Sequence, residues 1–198
     1  MKIEDIYCEL PQLETKRLLL RKIRLEDLEE MHRYGSDGQV SRFVTWETHQ
    51  SLADTKGFLD FVLSQYEKKQ VAPWGIELKA TGEFIGTIDF VWWKPEHKTA
   101  EIGYVISKNH WGKGYTTEAA KELLKFGFEK MDLVRIQARC FAANTGSERV
   151  MEKTGMTYEG LIRKGMYVKG KHQDLKMYSV LQEEYAARQN PGSPVTVR

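Results

Sequence analysis

The chain has 198 residues, within the range of one domain and long enough to bury a substantial core, and its 41% apolar and 29% charged residues are ordinary for a soluble globular protein. Thirty Lys and Arg against 28 Asp and Glu leave a formal charge of +2, too small to argue for a nucleic-acid partner. Cys8 and Cys140 stand far apart without metal-ligand spacing, and no stretch resembles a leader or a membrane span. The expectation is a cytoplasmic protein with reduced thiols and no metal site.

In chain order, Thr15 to Arg24 reads as a first strand with one solvated face or an exposed edge, and Leu25 to Tyr34 as a helix broken at Gly35-Ser36-Asp37-Gly38. A short element follows around Val40 to Trp46. Leu52, Phe58, Leu59, Val62, Leu63 and Tyr66 then give a second helix its apolar face. Trp74 to Lys79 and Phe84 to Trp93 are strands joined by a turn at Lys79 to Glu83. Pro95 to Lys98 turns the chain into Ala100 to Ile106, completing an antiparallel meander. A helix after Gly114 carries the stripe Tyr115, Ala119, Leu123 beside Ala120, Leu124, Phe128. Val134 to Phe141 alternates apolar and polar residues as a strand does. The right-handed crossover rule makes that strand parallel to Ala100 to Ile106. Asn144 to Thr154 is a short helix ending at Gly155, and Tyr158 to Val168 with His172 to Leu181 is a hairpin around Lys169-Gly170-Lys171. One domain over 1–188 is expected, with 189–198 a disordered tail.

The most informative stretch is Thr99 to Lys130. A strand, then Asn109-His110-Trp111-Gly112-Lys113-Gly114, then a helix gathers free backbone N–H groups at the positive end of a helix dipole, where a phosphate or pyrophosphate can dock. Lys113 is followed by Gly114 rather than Ser or Thr, which argues against an NTPase loop. Thr117 stands where a dinucleotide fingerprint needs its third Gly.

Glu101-Ile102-Gly103-Tyr104 followed by Trp111-Gly112-Lys113-Gly114-Tyr115-Thr116-Thr117-Glu118-Ala119 resembles the acetyl-CoA signature of the GCN5-related N-acetyltransferases. Within them it looks most like the RimJ/RimL-like branch that acetylates ribosomal-protein N-termini, and the likeness runs from about Thr15 to about Tyr185. The resemblance and the element order agree on a mixed α/β domain, with a mostly antiparallel, strongly twisted sheet, one central parallel strand pair and helices on both faces. The resemblance further implies acetyl-CoA bound by Tyr104, Val105, Ile106, Trp111, Gly112, Lys113, Gly114, Tyr115, Thr116 and Asn144, its pantetheine arm entering where the two parallel strands splay. Acetyl would pass directly to a primary amine, as in a protein N-terminus, in a ternary complex. A monomer or homodimer without membrane or nucleic-acid partners is expected.

For single residues a functional and a structural reading stand side by side. Glu101 shares a strand face with Gly103, and the resemblance makes it a general base toward the cleft. The alternative is an exposed charge or a salt bridge. Asn144 and Ser147 read as an N-cap and a first-turn residue, while the resemblance puts Asn144 on the cofactor arm and Ser147 beside the leaving sulfur as a hydrogen-bond donor. Phe43 and Trp46 are packing aromatics or part of an amine pocket. His110 reads as a solvent-facing loop residue. Tyr104, Tyr115 and Tyr158 pack with satisfied hydroxyls, and Lys113 approaches phosphate as a point charge. Rival functions are acetylation of a small amine such as a polyamine, with Glu47, Asp54, Glu77 and Asp89 as candidate carboxylates, and a non-catalytic CoA-binding module.

Overall fold

The computed structural model describes residues 1–189. Eight strands form one sheet: β1 (Leu13–Glu14), β2 (Leu18–Arg21), β3 (Trp74–Leu78), β4 (Phe84–Lys94), β5 (Thr99–Ile106), β6 (Arg135–Phe141), β7 (Thr157–Val168) and β8 (Lys171–Leu181). Their spatial order is β1-β2-β3-β4-β5-β6-β8-β7, antiparallel throughout except for the parallel pair β5 and β6. The expected fold class is the one found. The helices are α1 (Ile3–Tyr7), α2 (Leu28–Gly35), α3 (Gly38–Ser41), α4 (Leu52–Glu67), α5 (Tyr115–Glu129), α6 (Thr145–Lys153) and α7 (Gln182–Gln189). Apart from Gln189, the expected tail lies outside the described residues.

Side-chain alternation along β5 assigns the two faces of the sheet. Ala100, Ile102 and Ile106 bury into the main core with Ala119, Ala120, Leu123 and Leu124 of α5, whereas Val105 packs on the opposite face with Tyr34, Leu59 and Val62 of α2 and α4. Helix α6 lies on the α5 face, where Val150 and Met151 join the main core. Helix α4 starts where its sequence dictates. Ser51 Oγ accepts from the Asp54 N–H at 3.4 Å, and the Asp54 carboxylate accepts from the Ser51 N–H at 3.0 Å, a reciprocal capping box. The first expected strand is shorter than Thr15 to Arg24, because Arg24 to Asp27 turns instead: the Asp27 carboxylate accepts from the Arg24 N–H and clasps the buried Arg21 guanidinium.

The opening that matters lies between β5 and β6. Their parallel register runs only from Thr99↔Arg135 to Glu101↔Gln137, so from Ile102 onward the two strands diverge. Backbone groups on the β6 side of Ile102 to Ile106 lose their ladder partner there, and that is tolerable only where something else can meet them.

Candidate active site

The diverging strands border a cavity of about 480 Å³. On the α5 face it reaches Tyr104, Thr116, Asn144 and Ser147, and on the other face Gln39, Val40, Phe43 and Val44 of the α3 segment, so it passes through the sheet. Val105, Ile106, Trp111, Gly112, Arg139 and Cys140 also line it.

At the cavity's α5 end the loop after β5 takes the conformation its glycines permit. Gly112 has φ +74° and Gly114 φ +80°, and Gly114 is the residue immediately before α5. Among the described residues no acceptor takes the backbone N–H groups of Gly112, Lys113 or Gly114, and the first N–H groups of α5 are free by helix geometry. Together they offer free donors at the start of a helix, the arrangement a pyrophosphate would need. The Trp111 indole braces the loop by donating to the Ile106 carbonyl at 2.9 Å.

Sequence reasoning missed Arg17, the residue that holds this loop from outside. Its Nη1 donates to the Lys113 carbonyl at 3.0 Å, its Nε to Glu118 at 2.6 Å, and its guanidinium lies 4.3 Å from the Tyr115 ring centroid. Burial opposes ionisation of Glu118, but hydrogen bonds from Thr15 and Arg17 outweigh it and hold the carboxyl below its ordinary range. The only sequence signal was a Lys16-Arg17 pair ahead of β2. Lys113, Gly114 and Tyr115 shape the loop without lining the cavity itself, and Lys113 is exposed.

At the centre, the Tyr104 hydroxyl and Ser147 Oγ are 2.9 Å apart, both on the cavity wall. Burial keeps Tyr104 protonated far above its ordinary range; its one proton can go to the Ser147 carbonyl at 3.1 Å or to Ser147 Oγ, and either hydroxyl can be the donor in the contact between them. Asn144 is the α6 N-cap: its side chain accepts from the Ser147 N–H at 3.1 Å. The Ser147 hydroxyl takes no part in that cap. Cys140, also missed, has its thiol pushed up to about 11 by burial, so it stays a neutral thiol near pH 7.

For Glu101 and Trp46 the structure shows the salt-bridge and packing alternatives, and for His110 it corrects the expectation. Glu101 does not present a free carboxylate to the cleft: it is 4% exposed, one oxygen accepts from Arg139 Nε and the other from Gln137 Nε2, both at 2.8 Å. Gly103 lacks a side chain for a local reason, since a Cβ there would meet Val91 Cγ2 at 2.6 Å and Asp89 Oδ1 at 3.2 Å. Trp46 does not line the cavity, whereas Phe43 does. The Trp46 ring lies against His49 and the second core cluster. His110 is buried rather than solvent-facing, with Nε2 3.4 Å from Glu83.

A cleft at diverging parallel strands, a glycine-rich loop at a helix start and a hydroxyl pair on the wall come together at one cavity. Residues 17–157 match the family model for the acetyltransferase (GNAT) domain, and the chain belongs to that family. It is 36% identical over 171 residues to the uncharacterized N-acetyltransferase YoaA of Bacillus subtilis, covering 86% of this chain and 97% of that protein. It is 29% identical over 175 residues to B. subtilis YdaF, described as a candidate ribosomal N-acetyltransferase, covering 86% and 94%. The crystal structure of a GNAT-family acetyltransferase from Bacillus anthracis superposes with a TM-score of 0.79 at 35% identity, over 88% of this chain and 100% of that one. The protein is therefore an N-acetyltransferase that uses acetyl-CoA. Among the described residues no helix is long and apolar enough to cross a membrane.

Proposed function

We propose that the acceptor is the N-terminal α-amine of a polypeptide, a ribosomal protein being the case that the family likeness favours, and that it attacks directly in a ternary complex. The observation that carries this reading is the cavity that passes through the sheet. Acetyl-CoA, which supplies the activated acetyl group, would be held by the Gly112 to Gly114 cradle, with Asn144 and the Val105 to Ile106 edge along its arm. A chain end can enter from the opposite face beside Phe43.

Each protein group has a limited task in this reaction. Unpaired N–H groups of β5 beyond Glu101 can polarise the acetyl carbonyl, and binding both reactants supplies orientation. Ser147, backed by Tyr104, donates a hydrogen bond to the departing sulfur. A strong base is not required, because an α-amine with a pKa of about 7.8 is neutralised near pH 7 at a cost of roughly 1 kcal/mol. The Glu101 carboxylate, committed to Arg139 and Gln137, serves by fixing its neighbours rather than by taking the proton. A neutral Cys140 thiol disfavours a covalent acetyl-cysteine route.

A polyamine acceptor fits less well. Asp54 is consumed by the α4 cap, Glu77 pairs with Arg21, Glu47 is exposed, and among the described residues no carboxylate lines the cavity. The test is acetylation of peptides that carry both a free N-terminus and an internal Lys, with the modified nitrogen located by fragmentation mass spectrometry. Acetyl on the α-amine alone is expected. Exclusive labelling of Lys, or turnover of spermidine with no peptide accepted, would defeat the proposal.

A further inference from the structure

Among the described residues that line the cavity, Arg139 is the only charged one. It projects from the same face of β6 as Gln137 and Phe141, which is the face of α2, α3 and α4. Its Nε is pinned to Glu101 at 2.8 Å, and Glu101 is itself held by Gln137. Among the described residues Nη1 and Nη2 donate to no acceptor, and the side chain is 34% exposed. A guanidinium clamped along one edge presents the other as a planar fork, the geometry that grips a carboxylate with two parallel hydrogen bonds.

Two further cations stand near the α3 side of the cavity. Phe43 lines the cavity and packs with Phe141 and Met166, the Arg42 guanidinium lies 5.0 Å from the Phe43 ring centroid, and Lys169 of the β7–β8 turn donates to the Ser41 carbonyl at 2.6 Å. Arg42 and Lys169 thus stand beside the α3 segment that lines the cavity, while Glu101 and Asp89 lie on the same face of the sheet. The free guanidinium edge of Arg139 is the group here that attracts a carboxylate.

We propose that the free edge of Arg139 binds a carboxylate close to the acceptor amine, so that the enzyme selects polypeptide N-termini with an acidic side chain in the first few residues. This rests on the α-amine reading and adds its specificity. Glu101 is then a positioning residue that aims Arg139.

The test compares kcat and KM for matched peptides with Asp or Asn at the second residue, with free aspartate as a separate acceptor, in the wild-type enzyme and the Arg139→Gln/Glu101→Gln double variant. The double variant removes both charges together, so that no buried carboxylate is left unpaired. Wild type should favour the Asp peptide by at least about tenfold in kcat/KM, mainly through KM, and the double variant should lose that ratio. Equal use of the two peptides by wild type, or an unchanged ratio in a folded double variant, would overturn the proposal while leaving α-amine acetylation intact. Acetylation of neither peptide would instead sink the α-amine reading. Efficient, Arg139-dependent turnover of free aspartate would overturn the polypeptide source. A loss of acetyl-CoA affinity by calorimetry with the peptide ratio preserved would give the Arg139 fork to the cofactor and also overturn the assignment.

Discussion

Asp89 is a carboxylate of β4 close enough to Glu101 to feel its charge. It pairs across β4 and β5 with Gly103, among the described residues neither of its oxygens accepts a hydrogen bond, and burial followed by the charge of Glu101 pushes its carboxyl up to about 7. The folded protein therefore keeps a proton that an unfolded chain releases near pH 4. The stability that this proton contributes is fully present below that pH and is lost as pH rises through about 7. Asp89→Asn removes the charge that is costly at high pH. Its melting temperature should exceed that of wild type by several degrees at pH 8, where each kcal/mol is worth about 2–4 °C, and by much less at pH 5. Calorimetric scans at the two pH values measure this directly, and a difference that does not change with pH would contradict it.

At the scale of elements, the loop between β5 and α5 was the most legible part of the chain, because a left-handed turn and a close anion both demand glycine. Trp111 to Gly114 could be read directly as a cradle. The clasp from Arg17 was not legible, since nearly a hundred residues separate it from Lys113 and nothing local in β2 points there. The same limit explains Glu101. Strand alternation gave its face correctly, but whether its carboxylate is free depends on Gln137 and Arg139, which arrive from a different strand. The β6 alternation of Arg135, Gln137 and Arg139 was visible as a polar face, and only the splay from β5 turned one of those residues into a cavity wall. Short elements such as α1 and β1 escaped notice because five and two residues carry too little periodicity. Replacing Gly114 with Val tests the loop. A β-branched residue at φ +80° is strained, and its Cβ would come within 3.5 Å of the Arg17 guanidinium that clasps the loop, so calorimetric acetyl-CoA affinity should fall at least tenfold in the folded variant. Unchanged affinity would remove the cradle from the mechanism.

At the scale of the molecule, one sheet separates two half-sites. The α5 and α6 face carries the glycine loop and the Tyr104 and Ser147 hydroxyls, and the α2 to α4 face carries Phe43 and Arg139. The break in pairing after Glu101 connects them. This geometry calls for both reactants to be present at once, entering from opposite sides, with no stop on the protein between them. Initial rates of CoA release measured over a grid of acetyl-CoA and peptide concentrations test that claim most directly. Double-reciprocal lines that intersect are predicted, as a ternary complex requires. Parallel lines, accompanied by an acetylated protein formed from acetyl-CoA without acceptor, would contradict the account.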